Sequence, residues 1–324
     1  MLVRELGFVL VLVTLSAAHS VHHHGHHSRG EREEDGAYSP RDSGHFDEVG
    51  GHHGEFDHEA ILGSVKTAEE FDTLPPDEAK RRLRILLTKM DRNKDGQIER
   101  KELHSWILRS FRLLSEEEAE EKFEDVDENR DGKVTWEEHL EDAYGGTVVE
   151  DIQMHEPNVK MLQDDRELFN AADKNKDGYL NKQEFSLFSS PEEHPEMHDI
   201  ILNHTLSEKD TNRDGHLTFQ EFIGERASNQ EKEWLISEKE KFDSEYDKNK
   251  DGQLDKAELL AWVVPSDDEI AEEEVVHLFA SADDDHDDFL SFDEVIEHHD
   301  IFVGSEATDY GDHLHKVHTF SDEL

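Results

Sequence analysis

Six stretches of this chain place oxygen-bearing groups at the same intervals. Asp91, Asn93, Asp95, Gln97 and Glu102 form the first set, and Asp127, Asn129, Asp131, Lys133 and Glu138 the second. Asp173, Asn175, Asp177, Tyr179 and Glu184 follow, then Asp210, Asn212, Asp214, His216 and Glu221. The last two sets are Asp247, Asn249, Asp251, Gln253 and Glu258, and Asp283, Asp285, Asp287, Phe289 and Glu294. Counted from the opening Asp, these are positions 1, 3, 5, 7 and 12 of a twelve-residue segment. Side-chain oxygens at 1, 3 and 5, a main-chain carbonyl at 7 and a carboxylate offering two oxygens at 12 suit a hard dication. Such an ion takes roughly six to eight oxygens at about 2.3–2.6 Å. Position 6, where the backbone must turn left-handed around the ion, is Gly96, Gly132, Gly178, Gly215 and Gly252 in the first five sets.

Each segment fits the EF-hand calcium loop, and their recurrence sets the fold. From Asp91 onward the openings are 36, 46, 37, 37 and 36 residues apart. Loop 6 has Asp288 where glycine is expected; its acids still attract calcium, so it is expected to bind more weakly, with a non-binding structural loop as the alternative. Lys133 does not disrupt loop 2, because the ligand at position 7 is the carbonyl. At position 9, Glu99 and Asp255 are expected to act on the ion directly or through water.

Helices must flank each loop. Leu87, Phe123, Phe169, Leu206 and Phe279 stand one turn before a loop, on the core side of the entering helix; the fifth repeat breaks this with Asp243, between Phe242 and Tyr246. Position 8 is apolar throughout (Ile98, Val134, Leu180, Leu217, Leu254, Leu290), which suits a short strand joining two loops. Ser115 with Glu118, and Ser266 with Glu269, read as capping boxes that open entering helices. The fold expected is all-α: six EF-hands in three pairs, with short β-bridges between paired loops. One hand cannot bury its apolar face alone, so pairing in chain order is expected: hands 1–2 in 69–146, 3–4 in 147–228 and 5–6 in 229–304. About ten additional residues around Gly145 to Pro157 would then link the first two pairs, while the boundary near Asn229 rests on pairing logic alone.

Composition narrows the function. Over 324 residues the formal net charge is −48, which argues against nucleic acid and anionic membrane surfaces and favours cations. There is no cysteine, so disulfides and thiol chemistry are excluded. Residues 1–20, with Arg4, an apolar run from Leu6 to Leu15 and a small-residue exit, read as a secretory signal peptide. Residues 21–68 read as a disordered His-rich arm, in which His22, His23, His24, His26 and His27 form a solvated tail or collect zinc or copper. The tail, 305–324, ends in Ser321, Asp322, Glu323 and Leu324, a near match to the endoplasmic-reticulum retrieval signal, with Ser321 departing from the usual Lys or His. A soluble lumenal protein is expected, bound by the retrieval receptor through that C-terminus, with some escape to the Golgi or outside, and no membrane insertion. Asn203-His204-Thr205 is a glycosylation sequon. No catalytic motif is present; His194 and His198, four apart, are separated by Pro195 and read as loop, and no enzyme is expected.

Six loops, a signal peptide, no cysteine and a retrieval-like C-terminus resemble the CREC family of reticulocalbins and calumenins. The stretch HHDIFVGSEATDYGDHL after loop 6, the loop DKNKDG and WEEHLEDAYG after loop 2 carry the likeness, which covers roughly Phe71 to Leu324. The resemblance implies low-affinity calcium binding in the secretory pathway and calcium-dependent contact with client or regulatory proteins. The alternative is a sensor that opens an apolar groove for one target. Such grooves are often Met-rich, and this chain has 5 Met, which weighs against it.

Overall fold

The computed structural model describes residues 32–33, 35–46, 51–144, 156–229 and 232–305. The signal segment, His22 to His27, most of the Gly145–Pro157 linker and the C-terminal Ser321 to Leu324 lie outside them. The described residues carry fourteen α-helices and six two-residue strands. Ahead of the first loop come α1 (Glu55–Leu62), α2 (Val65–Asp72) and α3 (Pro76–Met90); then β1 (Gln97–Ile98), α4 (Arg100–Val126), β2 (Val134–Thr135) and α5 (Trp136–Tyr144). Next are α6 (Glu156–Ala172), β3 (Tyr179–Leu180), α7 (Lys182–Ser189), α8 (His198–Lys209), β4 (Leu217–Thr218) and α9 (Phe219–Ile223). The chain continues through α10 (Lys232–Lys241), β5 (Gln253–Leu254), α11 (Lys256–Val263), α12 (Asp267–Ala282), β6 (Leu290–Ser291), α13 (Phe292–Glu297) and α14 (His299–Val303).

The position-8 residues do form bridges, but between other loops than chain order suggests. Ile98 faces Leu290, Val134 faces Leu180 and Leu217 faces Leu254, all antiparallel. Hands therefore pair as 1–6, 2–3 and 4–5, which corrects the expected pairing 1–2, 3–4 and 5–6. The reason is α4. No glycine or proline interrupts its 27 residues, so the exiting helix of hand 1 and the entering helix of hand 2 fuse into one rod. At 1.5 Å per residue it holds loops 1 and 2 about 40 Å apart, out of reach of a bridge. Its first half buries Leu103, Ile107 and Phe111 with hand 6; its end buries Phe123 and Val126 with hand 3. Ser115 does not cap a helix there: it lies buried within α4, its hydroxyl donating to the Phe111 carbonyl at 3.0 Å. Ser266 does cap, accepting the Glu269 amide at 3.2 Å at the start of α12. The Gly145–Pro157 insertion and the Asn229 boundary consequently fall within pairs rather than between them.

Three separate apolar clusters match the three pairs. The first draws in α1, α2 and α14 beside hands 1 and 6: Ile61, Phe71, Phe302 and Val303 are all buried in it. The arm is therefore ordered well before residue 68. Ala60 and Ile61 are fully buried, and Ser64 caps α2 by accepting the Thr67 amide at 3.2 Å. Local polarity pointed to disorder, but α1 has a long-range partner in α14, and His58 Nε2 donates to the Asp300 carbonyl at 2.9 Å. The segment at 37–38 likewise joins hands 4 and 5, the Tyr38 amide donating to the Val263 carbonyl at 2.9 Å.

The broken pattern of the fifth repeat has a structural answer. In the other hands the amide at loop position 1 bonds four residues back, as Asp91 does to Leu87 and Asp173 to Phe169. Asp247 instead bonds five back, to Phe242, because residues Phe242–Tyr246 make one π-helical turn. The wider turn absorbs the extra residue and leaves Phe242 fully buried where the other hands place their Leu or Phe.

Candidate metal centres

All six loops share one internal framework. The opening Asp accepts the amide of position 6: Asp91 from Gly96 (3.0 Å), Asp127 from Gly132 (2.9 Å), Asp173 from Gly178 (2.9 Å). Asp210 accepts from Gly215 (2.9 Å), Asp247 from Gly252 (2.8 Å) and Asp283 from Asp288 (3.2 Å). Position 5 accepts the amide of position 7, at 2.8–3.0 Å from Asp95 and Gln97 through Asp287 and Phe289. The side chains at position 3 accept from position 5 in five loops. In loop 2, Asn129 instead donates through Nδ2 to Glu138 at 2.7 Å. These bonds fold each loop inward while leaving the carboxylates further lone pairs for an ion.

The Glu at position 12 is doubly placed. Its Oε2 accepts the amide of position 9, for example Glu184 from Asn181 at 3.2 Å and Glu258 from Asp255 at 2.9 Å. It is the third residue of the exiting helix, so this is a capping box in which position 9 is the N-cap. Asn181, Thr218, Asp255 and Ser291 fill that role. The signal was present as Thr218-x-x-Glu221 and Ser291-x-x-Glu294, hidden inside the loop consensus. Asp255 is thereby occupied with the Ala257 and Glu258 amides, at 2.8 and 3.0 Å, and Glu99 accepts Asn93 Nδ2 at 3.2 Å. Each of these bonds uses one carboxylate oxygen, Glu99 Oε1 and Asp255 Oδ1. Burial alone would raise the Glu221 carboxyl, but bonds from Thr218, Thr211 and Asn212 outweigh it and hold it below its ordinary value. In loop 6 desolvation, with Asp287 and Glu294 nearby, pushes Asp285 up. Asp283, Asp285 and Glu294 bring one oxygen each within 4.8 Å of one another.

Backbone strain separates loop 6 from the rest. Position 6 has φ of +81° to +87° at the five glycines and +64° at Asp288. Asp288 does adopt the left-handed form, at a cost of about 1 kcal/mol relative to glycine. Its carboxylate meets Arg100 of hand 1 at 3.1 Å, an exposed pair that offsets little of this. Asp288→Gly is accordingly expected to raise calcium affinity of loop 6 about fivefold, read by titration of the variant against the parent chain.

The EF-hand domain pair family matches residues 80–144, 162–225 and 239–298. Reticulocalbin-2 of Crotalus adamanteus is 36% identical over 286 residues, spanning 85% of this chain and 94% of that protein. Reticulocalbin-2 of Rattus norvegicus is 37% identical over 287 residues, 85% of this chain and 89% of that one. The chain belongs to the reticulocalbin family. Reticulocalbin-3 of Homo sapiens is 35% identical over 284 residues, 84% of this chain and 85% of that one. This reticulocalbin is a calcium-binding EF-hand protein. Each matched span holds two consecutive hands, so the unit that the family model matches along this chain differs from the unit that pairs in space.

Among the described residues of this reticulocalbin, no helix is long and apolar enough to cross a membrane. His194 and His198 flank a 3₁₀ turn and bond locally, to Ser186 Oγ and the Glu192 carbonyl. Asn203 is exposed on α8, but the sequon's Thr205 is buried and donates to the Ile201 carbonyl at 3.0 Å.

Proposed function

We propose that this reticulocalbin is a calcium store and calcium-dependent folding module of the endoplasmic-reticulum lumen, binding up to six ions at low affinity through the thirty residues at positions 1, 3, 5, 7 and 12. The carrying observation is the shared hydrogen-bond framework of six loops joined in three bridged pairs. A site assembled from carboxylates on a chain of charge −48 gains both folding energy and charge relief when the ion arrives. The signal segment and the Ser321–Leu324 ending support lumenal residence with retrieval, some protein escaping onward. Client or regulatory proteins of the secretory pathway would meet the calcium-loaded form. The sensor reading is disfavoured, because the pair 1–6 already covers its apolar face with α1, α2 and α14 from the same chain.

Calorimetric calcium titration with circular dichroism tests this. Five or six sites, at about 10⁻⁴ to 10⁻³ M, with a gain in helix are expected. Fewer sites, or tight sites with unchanged helix content, would sink the store reading. A large rise in hydrophobic-dye binding on adding calcium would favour the sensor.

A further inference from the structure

Away from the six loops, four side chains converge from three parts of the chain. His45 and His52 stand on either side of an antiparallel bridge between Phe46 and His52. Asp57 lies in the first turn of α1, and His277 on α12, the entering helix of hand 6. Each offers one ligand atom, and all four lie within 4.8 Å of one another. His45 Nε2 is 2.7 Å from Asp57 Oδ1, while His52 and His277 Nε2 are 2.9 and 3.6 Å from Oδ2. Asp57 is completely buried.

Ion pairing alone is a poor account of this arrangement. Both Asp57 oxygens, His45 Nε2 and His277 Nε2 are buried without a hydrogen bond of acceptable geometry. Glu274, one helical turn before His277, is 2% exposed and its carboxyl faces Asp57.

The spacing of the three imidazole rings fits a four-coordinate ion, while the His45–Asp57 and His52–Asp57 pairs, at 2.7 and 2.9 Å, must open by about 0.5 Å to admit it. Ligands about 2.0–2.2 Å from a tetrahedral centre stand about 3.3–3.5 Å apart, and three imidazoles on one such ion have ring centres about 5 Å apart. Here the ring centres of His45, His52 and His277 are 4.9, 5.5 and 4.8 Å apart. Three nitrogens and one carboxylate oxygen do not suit calcium, which wants six to eight oxygens, but they match the ligand types and number of zinc.

We propose that His45, His52, Asp57 and His277 bind one zinc ion, which fastens the segment before α1 to the entering helix of hand 6. The site is separate from the calcium loops, and it would hold the N-terminal segment against the pair 1–6 whatever the calcium load.

The test is zinc titration of the whole chain by calorimetry with calcium saturating, so that the loops are occupied. Parent, His52→Ala, His277→Ala and a variant with His22, His23, His24, His26 and His27 all changed to Ala are compared. Cobalt(II) is titrated in parallel for the intense visible bands of tetrahedral coordination. One zinc per chain is expected, with tetrahedral cobalt bands, retained in the arm variant. Each single variant should bind zinc at least about tenfold more weakly, with the calcium isotherm and helix content unchanged. Zinc binding that survives both single variants, or that vanishes with the arm histidines, overturns the proposal. So does octahedral cobalt, or copper uptake at these residues with no zinc uptake. If His277→Ala loses helix content, His52→Ala, on a partly exposed ring outside the helices, decides alone.

Discussion

Glu102→Gln will silence loop 1 and weaken loop 6 while leaving loop 2 as it was. In the proposed function Glu102 is the two-oxygen ligand of loop 1, and it closes the capping box of α4, Oε2 accepting the Glu99 amide at 3.1 Å. Losing a charged bidentate ligand should lower affinity of that loop about 100-fold, equivalent to about 2.7 kcal/mol. Loop 6 feels the change through the register Gln97 to Ser291 and Ile98 to Leu290. Coupling of about 1–3 kcal/mol between sites sharing one structural element implies a loss there of about tenfold. Loop 2 lies at the far end of α4 and bridges loop 3 instead. The amides at position 6, bonded to the opening Asp in each loop, are natural site-by-site reporters for a calcium titration by NMR: Gly96, Gly132 and Asp288. A weakening of loop 2 equal to or greater than that of loop 6 would refute the 1–6 pairing.

Phe302→Ala should be among the most damaging single changes. Phe302 is 2% exposed on α14, packed with Val303 into the cluster that holds hands 1 and 6 together. Truncating a buried Phe costs about 3–5 kcal/mol. The loss should fall on one pair, because the three apolar clusters are separate. Thermal unfolding is expected to split, with an early transition from the pair 1–6 and later ones unmoved. Hydrophobic-dye binding should rise as α1 and α14 release the face they cover. A uniform downward shift of a single transition would mean that the three pairs unfold as one body. Phe242→Ala, in the pair 4–5, is the matching control at a fully buried site.

How much was legible from sequence depended on the range of the interaction involved. The loops were legible because their bonds span at most twelve residues: the ligand spacing, the left-handed position 6 and the apolar position 8 are local necessities, and the structure repeats them six times. The weak point of loop 6 was equally visible, since a side chain at Asp288 has a fixed backbone cost wherever the loop sits. The buried Phe and Leu of the entering helices follow from helical period, and even the irregular fifth repeat displayed its extra residue, although not the π-turn that absorbs it.

What the sequence could not decide was which equivalent hand meets which. Six similar apolar faces can satisfy one another in several pairings, and proximity along the chain favoured consecutive ones. The tertiary structure decides otherwise through a rod, α4, which keeps hands 1 and 2 apart and leaves the face of hand 1 to hand 6. The same closure gives α1 and α2 a surface to fold on, in a stretch whose own composition is too polar to order itself. It also carries His277 to His45, His52 and Asp57, from residues more than two hundred positions away in the chain. Local chemistry was therefore written in the residues themselves, whereas pairing and convergence arose from burial of apolar area between distant segments, a force that has no sequence range.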